Sequence, residues 1–168
     1  MTAADGVGGG HADTAPGPGG PELPVAFVAL ERAVLSACAA QTKWPAQIAA
    51  GIYAGVDFAI AHPTMTEAVT VNASAEAHSK ALYERVIARL AGYVQSKAPR
   101  ESRLPGSTDE ALVAGIVGLV GDHIRVGRLD RLAELRPELV LLALLPYLGF
   151  SEAQRWANQV DSGWTGKS

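Results

Sequence analysis

The strongest constraint on the fold is a long apolar segment near the C-terminus, residues 137–157, which reads PELVLLALLPYLGFSEAQRWA. Every residue from Leu139 to Leu145 is apolar, so a helix here has no polar face and must be covered on opposite sides. Pro137 suits the first turn of that helix, whereas Pro146 lacks an amide donor and should kink or end it. One side can pack on the chain's own core. We expect the other side to pack on a second copy of the chain.

A second predicted helix is also apolar on all sides. Residues 111–121 contain no charged or strongly polar side chain, and the stripe formed by Ala111, Gly115 and Gly118 has helical spacing. Each glycine lowers helix propensity by about 1 kcal/mol, a cost that the close approach of another helix usually offsets. Two such helices from each of two chains predict a four-helix bundle across a two-fold axis. The alternative is that both helices lie at the centre of a monomeric bundle. The expected dimer interface contains Ala111, Gly115, Gly118, Leu141, Leu145 and Tyr147.

The rest of the chain is interpreted as further helices, which predicts an all-α fold of about six helices. Apolar residues three and four positions apart indicate helices that begin near Pro24, Thr42 and Ser74. Ser107 and Ser151 each precede a Glu or Gln by three residues, the spacing of a capping box. We therefore expect these two serines to cap the helices that follow them.

Composition divides the chain into one domain and two short tails. Seven of the 18 glycines fall within the first twenty residues, where no apolar period can be drawn. We expect residues 1–22 to be disordered, residues 23–160 to form the domain and residues 161–168 to form a C-terminal tail. No apolar run reaches the roughly 18 residues of a membrane span, and no secretory signal is recognisable. A single cysteine fits a reducing compartment, so we expect a cytoplasmic protein without a membrane partner.

Candidate catalytic and metal-binding residues are sparse. None of the four histidines has metal-ligand spacing to another histidine or to Cys38. The three glycines before His11 lack the strand, helix and lysine of a phosphate loop. No nucleophile and base can be paired, so we expect no enzyme, no cofactor and no metal. Asp57 lies in an apolar helix, where a half-buried acid needs a partner unless it faces solvent.

The charge balance argues against direct binding of nucleic acid. The net charge is −3 and the isoelectric point is about 5.8, whereas a DNA-binding domain usually has a basic surface. The densest cationic segments, around Arg100 and Arg128, also contain acidic residues. We therefore expect no contact with nucleic acid through this chain.

Three segments together resemble the C-terminal half of TetR-type transcriptional regulators. They are WPAQIAAGIYAGVDFAIAHP at residues 44–63, GIVGLVGDHIRVGRLDRLAEL at residues 115–135, and the apolar segment at residues 137–157. The likeness covers residues 25–157 and implies an all-α ligand-binding and dimerisation domain. Regulators of this family carry a helix-turn-helix module before this domain, and no such module is recognisable in the sequence.

The resemblance implies a ligand cavity among the helices that precede the two apolar ones. Large apolar side chains there would bind a small, mostly hydrophobic molecule, oriented by hydrogen bonds to His62 or Tyr83. Taken singly, each such residue is typical of a packed core, but as a set they favour a cavity. The candidate lining residues are Trp44, Ile48, Tyr53, Phe58, His62, Met65, Tyr83, Ile87, Leu90 and Ile116.

The sequence therefore predicts a TetR-like effector domain that binds a small hydrophobic ligand and homodimerises, without a DNA-binding module of its own. The ligand would act by favouring one arrangement of the cavity helices over another. Two alternatives stay open. One is a freestanding dimeric helical protein that binds or sequesters a hydrophobic metabolite, and the other is a partner that modulates a full-length regulator by heterodimerisation.

Overall fold

The computed structural model describes residues 22–70 and 77–161, which form seven α-helices and two short 3-10 helices and contain no strand. The predicted all-α fold class is confirmed for these residues. The α-helices are α1 (Glu22–Ala39), α2 (Trp44–Ala61), α3 (Pro63–Thr70), α4 (Ala77–Lys97), α5 (Gly106–Arg125), α6 (Arg136–Leu148) and α7 (Phe150–Asp161). The 3-10 helices are Arg100–Ser102 and Leu129–Leu135.

Proline and glycine residues lie at the ends of α2 and α6 and at the start of α3. Pro137 lies in the first turn of α6, where its missing amide hydrogen is not needed. Pro146, which was expected to kink or end this helix, lies inside α6; the helix continues to Leu148 and ends just before Gly149, whose φ of 72° favours glycine. Pro63 follows the C-cap of α2 and begins α3. These residues fix where one helix turns into the next.

The two serines expected to cap helices do not occupy N-cap positions. Helix α2 begins at Trp44, near the expected start at Thr42, and its N-cap Lys43 makes no side-chain cap hydrogen bond. Pro105 occupies the N-cap position of α5, which places Ser107 inside the first turn of that helix. Helix α7 begins at Phe150, so Ser151 also lies inside its helix. Ser74 falls outside the described residues. Helix starts shift by one or two residues because tertiary packing, and not the cap alone, fixes them.

Three buried clusters hold the helices together. The first joins α2, α6 and α7 around Trp44 and Leu144. The second joins α1 and α4 around Phe27 and Val86, and the third packs α2, α5 and α6 against Leu132 of the second 3-10 helix. Full burial of a Val, Leu or Phe side chain stabilises the fold by roughly 1.5–3 kcal/mol. A cavity among these helices is lined by residues of α1 to α6.

Among the residues that the structure describes, helix α5 is covered on one side only. Ala111, Gly115 and Gly118 are exposed, as is 43% of Leu119. No atom of a neighbouring helix lies within 4 Å of the position that a Cβ would take at Gly115 or Gly118. In α6, Leu145 is 39% exposed, whereas Leu141 is half-buried. Helix α5 therefore does not lie at the centre of a monomeric bundle.

Two expectations concern residues at the ends of the chain. The expected disordered segment and C-terminal tail lie outside the described residues, except for Glu22 and Asp161, which belong to α1 and α7. Over residues 22–70 and 77–161, no helix has the length and apolar character needed to cross a membrane.

Candidate ligand cavity

A cavity of about 140 Å³ lies at the centre of the helices, lined by residues of α1 to α6. Most of its wall is aliphatic, so the cavity favours apolar contents. A cavity of about 150 Å³ with a similar lining is large enough to bind benzene. The volume therefore suits a molecule about one ring in size. The aliphatic lining consists of Leu30, Val34, Leu35, Ile48, Ile52, Val56, Leu90, Val94, Leu112, Val113, Ile116, Val117 and Val120.

Small residues along one face of α2 create this space. Gly51, Gly55 and Ala59 are spaced four apart, so they share a helix face, and all three line the cavity. At Gly51 the helices are close, because a Cβ there would lie 2.6 Å from the sulfur of Cys38. At Gly55 the nearest atom to a Cβ would be a methyl of Val34 at 3.7 Å, which is an ordinary contact. The stripe brings α1 and α2 together at one level and leaves volume at the next.

Polar side chains in the lining are few, namely Cys38, Thr66, Thr70, Tyr93, Asp109 and Tyr147. The Thr66 hydroxyl donates to the carbonyl of His62, just before α3, at 3.1 Å, and the Thr70 hydroxyl donates to the carbonyl of Thr66 at 2.8 Å. Burial raises the pKa of the Cys38 thiol to about 11, so the thiol is protonated at neutral pH. The cavity therefore offers hydroxyl oxygens and a neutral thiol in addition to one carboxyl group.

That carboxyl group belongs to Asp109 in the first turn of α5, and only 1% of the residue is exposed. One carboxyl oxygen accepts a hydrogen bond from the Tyr147 hydroxyl. The other, Oδ2, is buried without a hydrogen-bond partner. Burial also raises the pKa of the Asp109 carboxyl. Among the described residues that line the cavity, none is Lys, Arg or His, so Asp109 has no counter-charge there.

Tyr147 is held in place from behind by Trp44. Their rings meet edge to face with centroids 5.0 Å apart, and the Trp44 indole N–H donates to the Val94 carbonyl at 3.3 Å. Tyr147 is 8% exposed and lines the cavity, whereas the sequence placed it at a dimer interface. This placement requires correction, because the Tyr147 hydroxyl turns inward to bond Asp109 and is not available to a partner.

Three of the ten predicted ligand-binding residues, Ile48, Leu90 and Ile116, line the cavity. Trp44 lies directly behind the wall, against Tyr147. Ile87 is buried on α4 but is not part of the lining. The members of the predicted set that reach the cavity wall are therefore all aliphatic.

The remaining predicted residues lie elsewhere. Met65 and Tyr83 pack against the cluster that joins α1 and α4. The Phe58 ring contacts the ring of His62, with centroids 4.8 Å apart, and His62 is exposed at the C-cap of α2. Neither His62 nor Tyr83, the two residues expected to form hydrogen bonds with a ligand, lines the cavity.

The Asp57 carboxylate, for which the sequence predicts either a partner or exposure to solvent, forms an ion pair at the surface. Asp57 pairs with Arg136, and its side chain is 62% exposed. The Arg136 guanidinium also lies over the ring of Tyr53, 4.9 Å from its centroid. The group therefore ties α2 to the start of α6 and does not contribute to the cavity. Over residues 22–70 and 77–161, no cluster of His, Cys, Asp and Glu could hold a metal ion.

Sequence reasoning missed Asp109 because the residue precedes the apolar stretch at residues 111–121 and lies within the expected capping box. An acid on the same helical face as Leu112 and Ile116, three and seven positions away, is a signal that the sequence does contain. The chain matches no protein-family model, no curated protein and no solved structure. Its helical fold and the chemistry of its cavity are therefore the basis for a functional proposal.

Proposed function

We propose that this chain is a TetR-like effector domain that binds a small, mostly apolar molecule in the central cavity and acts as a homodimer in the cytoplasm. The cavity is the observation that carries this proposal. The aliphatic side chains around this volume of about 140 Å³ lack the contacts that a bound apolar molecule would supply, which favours binding.

Helix α5 connects the proposed ligand site to the proposed dimer interface. Val113 and Val117 line the cavity, whereas Gly115 and Gly118 are exposed. A ligand that favours one position of α5 would therefore change the surface presented to a partner. Such a ligand acts by shifting the population between two arrangements, and the size of the shift equals its difference in affinity for them.

The exposed face of α5 supports the homodimer. Its two glycines reduce helix propensity, and no contact within the protomer requires them. Close packing against a second copy of α5 would supply the reason for their presence. A stable interface of this kind buries on the order of 1,200–2,000 Å² in total.

Blocking the cavity tests the ligand site. We expect small apolar molecules such as toluene to raise the melting temperature in a concentration-dependent manner. Gly55→Leu should abolish this shift because the new side chain enters the cavity. Gly55→Ala is the matched control: its methyl meets Val34 at an ordinary distance and leaves most of the volume. The blocked variant should melt no lower than Gly55→Ala if the side chain fills the cavity.

Two results would overturn this proposal. One is the absence of any shift with a panel of one-ring apolar compounds, and the other is an equal shift in Gly55→Leu and the unaltered chain. We also expect the chain not to retard duplex DNA at physiological salt, since its net charge is −3 and phosphate contacts need clustered cations.

A further inference from the structure

We propose that the cavity binds a compact apolar amine, about one ring in size, whose protonated nitrogen pairs with Asp109. This inference rests on the proposed ligand-binding function and specifies the chemical class of the ligand. It starts from the carboxyl oxygen Oδ2, which is buried without a hydrogen-bond partner in a side chain that is almost wholly enclosed. Burying a hydrogen-bond acceptor without a donor destabilises the folded state, so the unpartnered oxygen calls for an explanation.

The charge of the cavity indicates what the missing partner is. Asp109 carries the one carboxyl group in the described lining, and no cationic side chain faces it there. An anion in an apolar cavity is stabilised best by a cation that also donates a hydrogen bond. A protonated amine supplies both, whereas a carboxylate ligand would be repelled. The ligand thus provides the counter-charge that the chain lacks.

The carboxyl group is held in a fixed orientation before any ligand arrives. Tyr147 donates to one oxygen of Asp109, and Trp44 packs edge to face on Tyr147. Because Trp44 is itself bonded to the Val94 carbonyl, the position of the Asp109 side chain depends on a chain of buried contacts. A preorganised acceptor loses little entropy when it binds a donor.

The rest of the cavity suits the other parts of such a ligand. The aliphatic wall and the 140 Å³ volume favour a single ring. In α5 the lining runs from Asp109 to Val120, so the ring of a ligand that is held at Asp109 extends along this aliphatic wall. A compact ring with one short aminomethyl group combines these features.

Three probes built on one benzyl group test the inference on the unaltered chain. In toluene, benzyl alcohol and benzylamine the benzyl carbon carries a hydrogen, a neutral hydroxyl donor or a protonated amine, respectively. Their dissociation constants should be measured by calorimetry at neutral pH. We expect benzylamine to bind tighter than the other two by about tenfold, the effect of one charge-assisted hydrogen bond.

A pair of adjacent acids supplies matched variants. Asp109→Asn keeps the size of the side chain and removes its charge, so the advantage of benzylamine over toluene should disappear. Glu110→Gln removes the same charge from the next residue, which is exposed, and should keep that advantage. Circular dichroism checks that each variant is folded. The three-probe comparison needs no variant, so it decides the matter even if Asp109→Asn fails to fold.

The outcomes separate this inference from the function on which it rests. Toluene binding without any preference for benzylamine would overturn the amine and leave the apolar site in place. Benzyl alcohol binding as tightly as benzylamine would show that the cavity selects a neutral donor, which also overturns the amine. Binding of none of the three probes would overturn both the amine and the proposed ligand site.

Discussion

Asp109 is the residue whose environment differs most from what its type prefers. Aspartate is almost never fully buried without a partner, yet this one is 1% exposed and has a single hydrogen-bond donor, Tyr147. Burial raises its pKa because the charged form loses its hydration. The folded chain therefore keeps this proton at pH values where the unfolded chain has already lost it. The consequence is a stability cost that grows with pH.

We predict that Asp109 makes the free energy of unfolding fall as pH rises from acidic to neutral. Its contribution is most favourable below the unfolded pKa, and it is lost as pH passes through the raised folded pKa. Burial raises the pKa of two other groups of the lining, the Cys38 thiol and the Tyr93 phenol, so neither ionises between acidic and neutral pH. Asp109→Asn should therefore gain stability relative to the unaltered chain as pH rises, measured by urea unfolding at a series of pH values. Parallel profiles for the two proteins would contradict this, and Glu110→Gln serves as the control.

At the scale of the helix, the sequence predicts where each helix lies along the chain better than it predicts which helix face meets the cavity. Apolar spacing of three and four residues places all the long helices, because an amphipathic helix must bury its apolar stripe. It does not show which buried residues meet a cavity. In α2 the large side chains Tyr53 and Phe58 point away from the cavity, whereas Gly51 and Gly55 line it. A cavity forms where side chains are too small to fill the space, so predicting it from the largest residues selected the wrong face.

Two helical glycines should respond in opposite ways to the same substitution. A Cβ at Gly121 would lie 2.5 Å from the Cβ of Thr70, because α3 and α5 are in close contact there. Gly121→Ala should therefore lower the free energy of unfolding by about 1–3 kcal/mol. No neighbouring atom lies within 4 Å of a Cβ at Gly92 in α4, so Gly92→Ala should stabilise by up to about 1 kcal/mol through helix propensity. Denaturant unfolding measures both. A stable Gly121→Ala variant would show that α3 moves aside without cost.

At the scale of the molecule, the protomer encloses one surface of α5 and exposes the opposite one. The sequence indicates that this helix needs cover on two sides, since residues 111–121 contain no charged or strongly polar side chain. Within residues 22–70 and 77–161 that need is met only on the side of Val113 and Val117. The sequence also places Tyr147 at the interface, because the apolar pattern of α6 alone does not show that the Tyr147 hydroxyl donates to Asp109 within the protomer. The apolar character of α5 as a whole therefore predicts the assembly of two copies, but it does not show which individual residues form the interface.

We predict that the chain is a dimer in solution and that Gly118→Arg makes it monomeric. The arginine would place a charge and a long side chain on the exposed face of α5, where a second copy must come close. Arginine is a better helix former than glycine, so the protomer itself should not lose stability. Ala88→Arg is the matched control, because it adds the same side chain to an exposed position of α4. Light scattering at micromolar concentrations should give a dimer mass for the unaltered chain and Ala88→Arg, and a monomer mass for Gly118→Arg. A monomer mass for the unaltered chain would remove the homodimer from the proposal, and a dimeric Gly118→Arg would move the interface away from α5.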